Sequence, residues 1–181
     1  MTNASAGKSP VLLYGVLYGV ASIALTVIMY LGGIDVWMSK VSYVGMVIPV
    51  AFAFFVAWQL KKHDGYLEFA DCLKTVFKVM VIGLLLSMIF DYVLLNYIDK
   101  PFNEALMQAT QREMEKELFK KGMNQEKIDE FIENIGNANK YALAVYGLTF
   151  AIRCILHFVL ALIVAAIMKR KRPVFENSFN Q

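Results

Sequence analysis

Residues 141–172 read YALAVYGLTFAIRCILHFVLALIVAAIMKRKR: 28 residues with Arg153 and His157 as the only basic side chains, closed by Lys169-Arg170-Lys171-Arg172. At helical rise the apolar part spans about 42 Å, more than the roughly 30 Å hydrocarbon core of a bilayer. A run of this length followed directly by four cations reads as a membrane-spanning helix anchored on anionic headgroups, rather than as a nucleic-acid or nuclear-import motif. Outward from it, residues 11–33, 41–60 and 79–98 are equally poor in charge, and the four runs make up half of the 181 residues. The chain is 58% apolar and 18% charged, with a mean hydropathy of +0.51, which excludes a water-soluble domain. The expected fold is all-α: a polytopic membrane protein with transmembrane helices at about 11–33, 41–60, 79–98 and 141–168.

The 23-residue first run is too long for a cleaved signal and lacks a small-residue cleavage site, so it reads as a retained anchor. Gly15 and Gly19 form a G-x-x-x-G step, with Ser22 a turn further on, where a neighbouring backbone can come close. The short connection 34–40 predicts an antiparallel hairpin of the first two spans, with Trp37 at headgroup level. Pro49 is expected to kink the second span. Residues 66–78 are amphipathic, with Tyr66, Phe69, Ala70, Leu73 and Phe77 on one face and Glu68, Asp71, Thr75 and Lys78 on the other. Because 66–98 as one helix exceeds the bilayer thickness, 66–78 is expected to lie along the interface or to project beyond it.

The only extended hydrophilic segment is 99–140, with seven Lys and Arg against nine Asp and Glu. Asp99 and Pro101 suit a helix start, Gly122 a stop, Asn124 a cap and Gly136 a second stop, so a helical hairpin is expected there. Ile128, Phe131 and Ile132 should form its seam. Nine near-membrane cations (Lys8, Lys61, Lys62, Lys74, Lys78 and 169–172) fall on one side of a four-span topology, against Lys40, Lys100 and Lys140 on the other. The positive-inside rule then puts both termini in the cytoplasm and the hairpin outside.

Chemistry-bearing motifs are scarce. Cys72 and Cys154 are expected to be small buried hydrophobes, with no C-x-x-C pair for a metal or redox site. No nucleophile elbow, H-E-x-x-H or phosphate loop occurs, so no catalytic, cofactor-binding or metal-binding residue is assigned and no enzyme is expected. Glu126, Asp129, Glu130 and Glu133 share a helical face, which a solvated polar face explains as well as a divalent cation does. The candidate site is an intramembrane polar cluster of Asp91, Arg153 and His157, because a charge in hydrocarbon costs several kcal/mol unless it is paired or hydrated. Asp91 lies seven residues from one end of its run, about 10 Å deep. Arg153 is at a matching depth, and His157 is one turn on along the same face. Two readings stay open: a structural Asp91–Arg153 pair fixing which helix faces meet, or a path for protons or ions.

Tyr43-Val44-Gly45-Met46, the basic end Lys61-Lys62, the stretch DGYLEFADCLKTVFKV (64–79) and the closing AAIMKRKR (165–172) together resemble the bacterial membrane family known as domain of unknown function 4199. The resemblance runs over about 11–173, and it implies four spans, an inner-membrane location and no known activity. The functional expectation is a non-enzymatic membrane protein that binds or scaffolds partners through the 99–140 hairpin. The alternative is a small transporter or transporter subunit using Asp91. The lipid bilayer is the certain partner, a protein on the hairpin and a homo-oligomer are left open, and neither a cofactor nor nucleic acid is expected.

Overall fold

The structure is a computed structural model that describes residues 10–64, 67–138 and 142–169. Lys8, Gly65, Tyr66, Lys140 and Arg170-Lys171-Arg172, which figure in the sequence reading, lie outside the described residues. The protein is an all-helical polytopic bundle with four helices long and apolar enough to cross a membrane. These are α1 (Pro10–Leu31), α3 (Val44–Asp64), α4 (Phe69–Val93) and α7 (Ala142–Met168). Between them stand the short α2 (Gly33–Met38) and the pair α5 (Lys100–Lys120) and α6 (Gln125–Ala138).

Each boundary has a local cause. Pro10 opens α1, where a missing N–H costs nothing. Gly33 has a φ of +79°, so the chain can turn into α2 where a side chain would be strained. The α4 helix widens at its end into a single π turn, Leu94–Ile98, in which the Asp99 N–H bonds the Leu94 carbonyl at 2.9 Å. Asp99 then caps α5 by accepting from the Phe102 N–H at 2.9 Å. Gly122, also at φ +79°, closes α5 in a Schellman motif, with Gly122 N–H on Phe119 and Met123 N–H on Leu118.

The main seam runs between α1 and α4. A Cβ on Gly15 would come within 2.7 Å of Ile82, one on Gly19 within 2.7 Å of Leu86, and one on Gly83 would overlap the Tyr18 ring. Glycine on both helices lets the backbones approach to the distance at which these larger side chains interlock. The remaining core gathers at one end of the bundle, where Ala53, Val56 and Ala57 of α3, Cys72, Val76, Val79 and Met80 of α4, and Ala161, Val164 and Ala165 of α7 are fully buried. Small residues on α3 and α7 bring those helices together there. At the other end they offer Met46, Val47, Val50, Leu148, Ile152 and Leu156 to the surroundings instead. In a bilayer that surface faces lipid.

Several expectations need revision. The stretch 67–78 is not a separate helix lying along the interface: α4 runs unbroken from Phe69 into the third span, and Cys72, Val76 and the flanking Leu73 and Phe77 belong to the core, which leaves the other alternative, a helix whose first turns project beyond the bilayer. Its amphipathic pattern arises from packing on one side and exposure on the other. The first two spans do lie antiparallel, with Tyr14 against Phe55, Tyr18 against Phe52 and Leu25 beside Gly45, although α2 and a 3-10 turn (residues 40–43) join them and α1 packs more extensively on α4. Gly136 does not end α6, which continues to Ala138.

The α5–α6 hairpin has a narrower seam than the periodicity suggests. Ile128 is fully buried, whereas Phe131 remains 44% exposed. Ile128→Ala is therefore expected to cost the hairpin about 2–4 kcal/mol, and Phe131→Ala much less. Limited proteolysis of membranes checks this: cleavage within 102–135 should accelerate for the first variant only.

The base of the hairpin is fastened to α1. One Asp99 oxygen accepts from the Tyr30 hydroxyl at 2.7 Å while the other accepts from Phe102 N–H, and Phe102 packs edge-on against Tyr30 and Trp37. The Tyr30 hydroxyl, and after it the Phe102 N–H, hold the Asp99 carboxyl below the usual carboxylate range. A carboxyl with a depressed folded-state pKa stabilises the fold above its unfolded value and loses that contribution as pH falls through the folded one. Acidification below the ordinary carboxylate range is thus expected to speed proteolysis at the α5 start several-fold. Asp99→Ala should show the fast rate already at neutral pH.

Candidate functional site

Where α3 and α7 diverge, the bundle encloses an open cavity of about 580 Å³. Helix α1 contributes Ser22, Thr26 and Met29, α3 contributes Gly45 and Pro49, α4 contributes Ser87 and Asp91, and α7 contributes Arg153 and His157. All three residues of the sequence-derived cluster thus line one cavity. Pro49 sits on its wall, and lacking an N–H it leaves the Gly45 carbonyl without the usual helical donor.

The ion pair does not form. Among the described residues, the side-chain ion pairs are Lys116–Glu113 and Lys120–Glu117, both on the exposed face of α5. Arg153 is the charged neighbour of Asp91, and the Thr26 hydroxyl stands beside the carboxylate. Even so, Oδ1 of Asp91 is buried with no hydrogen-bond partner. Arg153, also on the cavity wall, is an exposed residue.

His157 plays a different part. Its Nδ1 lies 2.7 Å from the Arg153 carbonyl and its Nε2 lies 2.9 Å from the Tyr18 hydroxyl. A carbonyl only accepts, so Nδ1 carries the proton, and in the neutral ring Nε2 accepts from Tyr18. Both ring nitrogens are used, so His157 tethers α7 to α1 and has none left for a ligand. The Ser22 and Ser87 hydroxyls bond back to the Tyr18 and Leu84 carbonyls of their own helices, each at 3.0 Å. Asp91 and Arg153 remain as the cavity's charged groups.

Sequence reasoning missed Tyr18, which is 4% exposed and packs against Phe52, His157 and the face of Gly83. The available signal was its position: Tyr usually marks the membrane interface, and one in the middle of a span needs a hydrogen-bond partner. The acidic face of α6 does not converge, since among the described residues no three metal-ligating side chains of the His, Cys, Asp and Glu types come together. Cys72 is buried and Cys154 half-buried, and neither is in a disulfide.

No curated protein and no solved structure matches the chain. Residues 13–170 match the family described as Protein of unknown function (DUF4199), a stretch that includes the whole cavity and all four spanning helices except the first three residues of α1. The chain belongs to the DUF4199 family.

Proposed function

We propose that this protein is a non-enzymatic, multi-pass membrane protein that admits a polar ligand to the cavity between its spanning helices, as a small transporter or transporter subunit does, with Asp91 as the group the ligand engages. One observation carries the reading: Asp91 and Arg153 line the same open cavity unpaired, and one Asp91 oxygen is buried without a partner. A purely structural pair would have closed to ion-pair distance, because that is what offsets the cost of taking charge out of water. Lys61, Lys62, Lys74, Lys78 and Lys169 at the closed end of the bundle, against Lys40 and Lys100 at the other, support cytoplasmic termini, with the wide end of the cavity and the hairpin facing outward from a bacterial inner membrane.

Complementation of a deletion strain tests the reading. Asp91→Asn, accumulating to the wild-type level, should give the deletion phenotype, and full complementation by that variant would overturn it. A second reading, docking of a protein on the hairpin, draws on the exposed Phe119, Met123 and Phe131. It predicts instead that Phe119→Ser with Phe131→Ser abolishes complementation while Asp91→Asn does not.

A further inference from the structure

The cavity presents two opposite charges that do not neutralise each other. With His157 satisfied at both nitrogens and Ser22 and Ser87 bonded to their own helices, a ligand meets the Asp91 carboxylate and the Arg153 guanidinium. A simple cation on Asp91 leaves Arg153 unpaired and is repelled by it, and a simple anion on Arg153 has the converse fault. A molecule carrying both charges satisfies both groups at once: an ammonium pairs with the Asp91 carboxylate on the cavity wall, and an anionic oxo group accepts from the planar fork of the guanidinium. Resting on the cavity reading above, we infer that the site binds a zwitterion with its ammonium on Asp91 and its phosphate or carboxylate on Arg153.

The rest of the wall is mostly apolar, with Leu25, Met29, Ile48, Leu84 and Leu156 among its residues, and Met46 and Val50 stand exposed at its open side. The same chemistry is therefore offered to two sources, the head group of a zwitterionic lipid entering from the bilayer and a free zwitterion entering from water.

The test is thermal unfolding of the full chain in mild detergent with added dioleoylphosphatidylethanolamine, dioleoylphosphatidylglycerol, free phosphoethanolamine or free alanine. Binding to the native state raises the midpoint, by about 5 °C or more at a hundredfold excess over the dissociation constant. Phosphatidylethanolamine is expected to raise it and phosphatidylglycerol not, with the shift lost in both Asp91→Asn and Arg153→Gln. A shift with free phosphoethanolamine or alanine, lost in the same variants, assigns the free source. Equal shifts with the two lipids that survive Asp91→Asn would overturn the zwitterion while leaving a ligand cavity in place. The absence of a shift with every probe would overturn it too, and the complementation result then decides the cavity reading separately.

Discussion

Gly83→Val should leave almost no folded protein in the membrane. Even the first carbon of a side chain at this position would overlap the Tyr18 ring and stand 2.9 Å from the Gly15 carbonyl oxygen. The ring cannot swing aside, because Phe52 packs beside it and its hydroxyl is bonded to His157. The carbonyl belongs to the α1 backbone, so α1 and α4 must move apart along the seam that carries most of their packing. Overpacking in a close-packed interior costs about 1–3 kcal/mol per inserted group, and more when backbone must shift. Gly83→Ala is expected at the upper end of that range and Gly83→Val beyond it. Gly147 supplies the control, since nothing lies within 4 Å of a Cβ built there. Gly147→Ala should melt with the wild type in detergent, while Gly83→Ala melts several degrees lower. Equal melting of all three would mean that the α1–α4 seam is not closed as described.

The second large effect is one of sign. Asp91→Asn is expected to stabilise the protein, because it removes a charge held in a partly buried site with one oxygen unpartnered. The gain is on the order of 1–3 kcal/mol and comes from the desolvation of the charge alone, because the amide still leaves a polar atom at the buried position. Arg153→Gln should change stability by no more than about 0.5 kcal/mol, since Arg153 is an exposed residue without an ion-pair partner among the described residues. The double variant should equal the sum to within about 0.5 kcal/mol, as for residues that do not touch. A closed buried pair behaves otherwise: removing one partner destabilises by about 3–5 kcal/mol and removing both restores much of it. Melting of the four proteins separates the two outcomes. A group that costs stability and is nevertheless kept at a cavity is the expected mark of function.

The contrast between these two sites shows what a single sequence carries. Hydropathy alone locates the spans, because twenty apolar residues have one stable way to cross a bilayer. Caps are local, so Asp99 and Gly122 could be assigned from their chemistry, and both act as expected. Counting residues along two helices also gave the heights of Asp91 and Arg153, and that was enough to bring them with His157 to one cavity. Height does not fix azimuth or the distance between helix axes, and of the two readings left open the closed Asp91–Arg153 pair failed on that point. The Tyr18–Gly83 interlock was illegible for the same reason: it depends on which face of α1 meets which face of α4. Residues 66–78 misled because an amphipathic stripe looks the same whether its apolar side meets lipid headgroups or neighbouring helices. On α6 the periodicity of Ile128, Phe131 and Ile132 was genuine, but one partner helix covers only part of that stripe, leaving Phe131 exposed.

The central claim, a water-accessible cavity among the spanning helices that holds Asp91 and Arg153, is tested most directly by thiol labelling in native membranes with Cys72 and Cys154 replaced by alanine. Thr26→Cys lines the cavity and should react with a water-soluble, membrane-impermeant thiol reagent. Val79→Cys, at a fully buried position in the closed end of the bundle, should not. Thr26→Cys as inert as Val79→Cys would show that water does not reach Asp91 and would contradict the account.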